Sequence, residues 1–563
     1  ARGVHARVHG LRVVTPDAHT DTIFVIIPTL GWILPAILTW PLIGAVLVAF
    51  AGRAPAAAAA PDDGAAAPTG TAAQAVEARN GFLDARNVAA AVLIGEALLT
   101  VLLWLGFDPG ASAWQARFDL PWIPEWGARV TLGVDGISLV MVAMTGLLMP
   151  LAVLGSWRNV GEKPVSYYAL LLVLTAGTMG VFLSLDLLLF YVCWELVLIP
   201  MYFMIGVSGG EGRQRASLQY FLIATLGSLL MLVAIVALWS AAGGGTFNLD
   251  QLAAAARGTL STTQQIWMFL GFFIALAVKS AFFPVHSWLP GAQKAAPTSA
   301  AVALGIKVGT YGMLRFALPL FPAAVLHPVM RTTLVGLAVA GILYGALVAT
   351  VQPDLRRIAS YASVSHLGFV VLGIFALTAE SLQGAMLVMV SHGVSLGALF
   401  LLAGMLEDRT GTASVDGFGG LARAMPLFSV LLVVASLSTI GLPGTNGFVG
   451  EFLVLLGAFR RFPGLTIIAT VGVILAAVYL LRALQRMLFE TPRADGAMPG
   501  GVRPDGTRVR DLDRRELLVL GAFAVAIVWL GVAPAGVLRR MEGPVQRLVS
   551  QVQRGAVSVS VNP

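Results

Sequence analysis

The sequence predicts an all-α polytopic membrane protein. Three observations carry that prediction. The 563 residues are 57% hydrophobic and 12% charged, whereas a soluble protein carries about 25% charged residues. Apolar runs recur along almost the whole chain, and a run of about 18 residues or more is long enough to cross a bilayer. Ionisable residues nevertheless stand inside several of those runs.

The spacing predicts about 14 spans, near 23–51, 88–106, 136–156, 165–184, 186–207, 217–243, 264–293, 297–320, 328–350, 355–378, 381–406, 424–458, 464–489 and 514–536. Residues 1–22 are a polar, basic N-terminal extension without a starting Met, read as either a real tail or an overcalled gene start and assigned no function. Residues 23–536 form one integral membrane domain. Within it, 54–87 is a flexible loop whose 54–75 stretch is rich in Ala, Pro, Gly and Thr. Residues 537–563 are expected to be a C-terminal tail with no long amphipathic helix.

Loop charges set the orientation. Loops after odd-numbered spans hold Arg53, Arg79, Arg86, Arg158, Lys163, Arg213, Arg215, Lys294, Arg356, Arg357, Arg409, Arg423 and a basic stretch from Arg493 to Arg515. The even-numbered loops hold only Arg117, Arg129, Arg257, Arg460 and Arg461. By the positive-inside rule the odd loops are cytoplasmic and both termini lie outside. The basic tail with Arg539, Arg540, Arg547 and Arg554 runs against that orientation. A net charge of +7 therefore needs no nucleic-acid partner. Cys193 is the only cysteine, which excludes an internal disulfide, a thiolate zinc site and a cysteine-ligated iron–sulfur cluster.

Two spans are interrupted alike. The seventh runs to Phe283, meets Pro284 and resumes through Trp288 to Pro290; the twelfth breaks at Gly441-Leu442-Pro443-Gly444 and resumes at Phe448. Backbone groups freed by such breaks must face protein or water. Paired broken helices point to an internal repeat and an ion path near the midplane. Spans 4–8 and 9–13 hold five helices each, and an odd number per repeat makes the repeats inverted.

The chemistry lies in the embedded ionisable residues. Glu195 stands in span 5, Lys279 just before the span 7 break, Lys307 in span 8, His366 in span 10, His392 in span 11 and Glu451 just after the span 12 break. A charge at the bilayer centre costs at least about 2.5–3.5 kcal/mol. A single structural ion pair would account for Glu195 and Lys279, but not for six such residues on six spans. Burial weakens a lysine's hold on its proton and an approaching carboxylate restores it, so a Glu–Lys pair that opens and closes is a proton switch. Histidine relays protons through either ring nitrogen. His286, after the span 7 break, is a secondary candidate. Asp135 reads as a helix N-terminal carboxylate, Asp186 as a cap or interface contact, Arg315 and Arg482 as snorkelling helix-end residues, and Asp354-Leu355-Arg356-Arg357 as a surface anchor.

In order along the chain stand Val134-Asp135-Gly136-Ile137-Ser138, Trp194-Glu195, Lys279 through Trp288-Leu289-Pro290, Ala296-Pro297-Thr298, Lys307-Val308-Gly309-Thr310-Tyr311-Gly312 and Tyr361-Ala362-Ser363-Val364-Ser365-His366. Together they resemble the antiporter-like subunits of proton-pumping NADH–quinone oxidoreductase, respiratory complex I, over roughly residues 23–536. In the L and N branches of that family a lysine occupies the span 12 position. The M branch has glutamate, as Glu451 here, and Asp511-Leu512-Asp513-Arg514-Arg515-Glu516 also resembles the M branch. The family's Trp-Leu-Pro-Asp-Ala-His segment has Gly291 and Gln293 here in place of Asp and His, so a proton-collecting role of that loop is not carried over. Its Asp-Leu-Lys-Arg is Asp354-Leu355-Arg356-Arg357.

The resemblance implies that Glu195 and Lys279 interact. It makes Lys307, His366 and His392 a central axis and Glu451 the terminal donor. It further implies a proton-translocating subunit in the bacterial inner membrane, placed between L-type and N-type neighbours. NADH, FMN, iron–sulfur clusters and quinone would be bound by partner subunits and no cofactor by this chain. The alternatives are a subunit of a multi-subunit cation/proton antiporter or membrane-bound hydrogenase, a scaffold that has lost pumping, and a stand-alone solute transporter.

Overall fold

The computed structural model describes residues 31–51, 84–157 except 112, 160, 163–491 and 498–561 except 500, 503–505 and 507. The N-terminal extension, most of the 54–87 loop and the start of the basic stretch, residues 492–497, lie outside these. Twelve helices among the described residues are long and apolar enough to cross a membrane.

The first two are α1 (Ile33–Ala51) and α2 (Ala85–Leu105), the latter starting inside the segment expected to be a loop and capped by Asp84. An antiparallel hairpin follows, β1 (Gln115–Ile123) and β2 (Ala128–Val134). It is the longer of two β additions among the described residues; the other is a two-residue parallel pair, Phe418–Gly419 with Met498–Pro499. The hairpin turn needs Gly127: φ is +68°, and a Cβ there would stand 1.9 Å from the Gly245 carbonyl oxygen. Next come α3 (Gly136–Gly155), α4 (Pro164–Leu183), α5 (Leu187–Ser208) and the 29-residue α6 (Arg213–Ala241). A short helix, α7 (Leu249–Thr259), leads into the first broken span, α8 (Thr262–Lys279) and α9 (Trp288–Ala295).

The span expected unbroken over 297–320 is itself interrupted. α10 (Thr298–Leu304) stops, and α11 (Val308–Gly312) restarts before a π turn at Met313–Ala317. The Val308 N–H donates to the Ile306 carbonyl at 3.0 Å around Lys307 at φ −88°, ψ 57°, an inverse γ-turn. No proline marks this break, so the apolar run concealed it.

α12 (Pro328–Thr350), α13 (Leu355–Ala376) and the 32-residue α14 (Ala379–Thr410) precede the second broken span, α15 (Pro426–Ile440) and α16 (Asn446–Phe459). α17 (Pro463–Leu488) and α18 (Arg514–Val532) follow. The chain then forms a 27-residue helix, α19 (Ala535–Val561), where only a tail was expected. Val537, Met541, Val545, Leu548 and Val552 bury one stripe of it at helical spacing. Four arginines and Gly543-Pro544 had obscured that stripe in the sequence.

Burial orders these helices. α13 and α14 are 94% buried over their apolar windows, against 33% for α17 and α18, so the two histidine-bearing helices form the centre of the bundle. The connections gather on two faces. On one, the Leu185 N–H donates to Thr131, Leu187 to Phe247 and Leu249 to Leu185, tying the hairpin to the α4–α5 and α6–α7 connections. α19 lies on this hairpin face, where its Arg540 carbonyl would stand 1.7 Å from a Cβ on Gly136. On the other, Leu355 N–H donates to Ala413 and Leu427 N–H to Asp511, among the arginine-rich connections.

Candidate functional site

α8 ends at Lys279. Ser280 N–H still reaches the Leu276 carbonyl at 2.9 Å, after which Ala281 turns left-handed at φ 51°. The Val278 carbonyl accepts from the Trp288 indole at 2.9 Å, so the break is satisfied internally. The Lys279 ammonium donates to the Tyr220 hydroxyl at 3.4 Å and lies 5.3 Å from the centre of the Trp194 ring. Glu195, next in sequence to Trp194, is half-buried and its Oε1 has no hydrogen-bond partner. The expected Glu195–Lys279 pair is therefore not in direct contact: aromatic groups surround the ammonium, and the carboxylate is near enough only for Coulomb attraction. His286 sits in the break, stacked on Phe283 at 5.6 Å with Nδ1 unpartnered.

Lys307 is buried at the α10–α11 break. Gly309, two residues on, packs so closely on the end of α8 that a Cβ would stand 2.3 Å from Ser280 Oγ and 2.6 Å from the Leu276 carbonyl. The backbone breaks beside the two lysines thus touch. One turn after Lys307, the Thr310 hydroxyl contacts Met389 Sδ at 2.9 Å, which docks α11 on α14 one turn before His392.

The second half is directly connected. His366 Nδ1 is 2.7 Å from Glu451 Oε1, and the His366 and His392 ring centres are 5.9 Å apart. His366 Nε2 and both His392 nitrogens have no protein partner. These groups, with Ser391, Ser395 and Ser438, line a cavity of about 20 Å³. A space of about 10–15 Å³ holds one water, and a water there would join nitrogens that lack partners. The α15–α16 break closes around Asn446, whose Oδ1 accepts from Ser395 at 3.1 Å and from Ser438, while Ser391 donates to its carbonyl at 2.8 Å. The signal for this missed cluster was the Ser391-His392 and Ser395 spacing, one face of an apolar helix.

Other expectations change. Arg315 does not snorkel: it is buried on the π turn and ion-paired with Asp135, which also caps α3 through the Ile137 and Ser138 amides at 3.0 Å. Asp186 is both cap and interface contact, accepting from Leu188, Leu189 and Arg129. Arg356 is no surface anchor, being 2% exposed and 2.7 Å from the Glu407 carboxylate. Arg482 is exposed. Glu96 in α2 went unread: it is fully buried, and neither oxygen has a partner. Gln293 is likewise fully buried with an unpartnered amide. Among the described residues no group of three or more His, Cys, Asp or Glu is placed to hold a metal.

Residues 184–476 match the family model described as NADH:quinone oxidoreductase/Mrp antiporter, TM. The chain is 38% identical over 461 residues to NADH-quinone oxidoreductase subunit M of Escherichia coli K12, covering 78% of this chain and 87% of that one. Against the protein of that name from Pseudomonas aeruginosa it is 40% identical, with the same coverage. A chain of respiratory complex I from Thermus thermophilus superposes with a TM-score of 0.79 at 31% identity, over 92% of this chain and 99% of that one.

Proposed function

This chain belongs to the NADH:quinone oxidoreductase/Mrp antiporter membrane family, and from that premise we propose that it is the M-type proton-translocating subunit of an NADH–quinone oxidoreductase. The observation that carries the reading is the buried contact of His366 with Glu451, beside His392 and a water-sized cavity. A static scaffold has no use for unpartnered histidine nitrogens at the centre of a bundle. Glu451 in place of lysine favours this reading over a cation/proton antiporter subunit.

Each residue has a stated task. Glu195 sets the local field, and Lys279 holds or releases a proton according to the Glu195 distance. At an effective dielectric of about 20, two unit charges attract by about 4 kcal/mol at 4 Å and about 2 kcal/mol at 8 Å. A few ångströms of movement therefore change the proton equilibrium by about 30-fold. Lys307 receives the proton, His392 and His366 pass it on through the cavity, and Glu451 delivers it to the exit or to the next subunit. His286 serves as a side branch at the first break.

This chain binds no redox cofactor in our reading. Partner subunits hold NADH, FMN, the iron–sulfur clusters and quinone, and the L-type and N-type subunits flank it. It resides in the bacterial inner membrane with the arginine-rich face cytoplasmic. The test uses the assembled complex in proteoliposomes, with NADH oxidation by quinone as the drive. Glu195→Ala and Lys279→Ala should lower proton uptake sharply and coupled electron transfer by a smaller factor, so that the ratio falls. An unchanged proton-to-electron ratio in both variants contradicts the proposal.

A further inference from the structure

A narrow apolar crevice of about 220 Å³ opens between α2, α3, α14 and α18. Val101, Val140, Met144, Leu147, Ala526 and Trp529 are among its lining residues. On α3 the lining runs from Val140 to Leu151, a length of about 16 Å at 1.5 Å per residue. Its rim faces outward: Leu147 is 49% exposed and Trp529 51%. In a membrane-spanning chain that rim meets either lipid or another subunit.

The hairpin-face end has different chemistry. Trp104 lies in the last turn of α2 and Trp529 in the last turn of α18, and indoles at the ends of spanning helices are enriched at the lipid headgroup boundary. Val537 closes that end, and Arg540 follows one turn later on α19. The Arg540 guanidinium lies 4.3 Å from the centre of the Trp104 ring. Its Nη1 donates to the Gly536 carbonyl at 2.9 Å, while its buried Nε has no partner. Arg539 adjoins it, and Glu542 is exposed and accepts from Gln546. The site thus joins an apolar slot within the bilayer to a fixed cation at the headgroup level.

We infer that the crevice holds one acyl chain of an anionic phospholipid, with its phosphate on Arg540 at the Trp104 edge. An acyl chain is a thin apolar rod that enters such a slot. A helix, about 10–12 Å across with its side chains, is too wide to enter and only covers it. The cation supplies the charge complementarity that neutral lipid lacks.

The experiment uses the assembled complex in mixed phosphatidylglycerol–phosphatidylcholine vesicles, with a trace of phosphatidylglycerol carrying a photoreactive diazirine on one acyl chain. Label is mapped on peptides of α3 and α18 and compared with α6, where Leu226 and Val233 give an exposed apolar helix face without a crevice as reference. Crevice peptides should be labelled several-fold above α6. Ala526→Phe, or Ala143→Leu should the first variant fail to assemble, fills the slot and should bring the label down to the α6 level. Arg540→Gln should keep the acyl label but remove an approximately fivefold preference over phosphatidylcholine carrying the same diazirine. Labelling equal to α6 in the parent complex, as a covering subunit would give, overturns the inference. So does labelling that the slot-filling variants leave unchanged.

Discussion

The two broken spans solve the same problem in different ways. At the first, Lys279 ends its helix among aromatic rings, and its carboxylate counterpart Glu195 stays out of contact. At the second, Glu451 sits just past the break and touches His366 at 2.7 Å. Breaking a buried contact costs more than modulating a separated one, because each partner then loses its compensation in a medium of low dielectric. The difference suggests a division of labour: the first half is adjustable, and the second half is a fixed relay around a cavity. Lys307 joins them through a third break that packs on the end of the first.

That contrast can be broken in graded steps. Lys279→Ala removes the adjustable charge and should lower proton pumping at least about tenfold, a loss of about 1.4 kcal/mol or more. Proton uptake in proteoliposomes measures it, with NADH oxidation by artificial acceptors as a control for assembly. Glu451→Gln keeps the shape of the second break but weakens a charge-assisted contact worth about 1.5–3 kcal/mol. Pumping should fall about three- to tenfold, with Glu451→Asp intermediate. If Glu451→Gln proves as severe as Lys279→Ala, the division of labour is wrong. His286→Ala, at the side of the first break, should change pumping by less than about twofold.

The smallest effect is expected outside both halves. On the hairpin, a hydrogen bond from Arg129 holds the Asp119 carboxyl below its ordinary range, helped by Thr131. A lowered carboxylate stabilises the fold above its unfolded-state value and loses that contribution as pH falls through the lowered one. The pair is exposed and screened by solvent, so its contribution is small. Asp119→Asn should leave pumping unchanged at neutral pH and slightly flatten the acid limb of thermal stability, read by scanning fluorimetry.

Much of this arrangement was legible in the sequence because charge inside an apolar run is costly and therefore conspicuous. Glu195, Lys279, Lys307, His366, His392 and Glu451 stood out for that reason, and Pro284 and Pro443 marked two breaks. The break at Lys307 did not, because a turn without proline leaves the hydropathy pattern intact. Glu96 was lost in a long apolar run, and Arg315 was read by its position near a helix end rather than by its partner Asp135, 180 residues earlier. α19 was hidden because its buried stripe is one residue wide and flanked by arginines. Contacts between distant segments, such as the serines around Asn446, have no local signature at all.

The most direct test of a continuous path is the proton-to-electron ratio of complexes carrying Lys307→Met, since this residue alone bridges the two halves. A continuous path requires a lowered ratio, with electron transfer slowed but present and the His366–Glu451 contact intact. A ratio equal to that of the parent complex would contradict it.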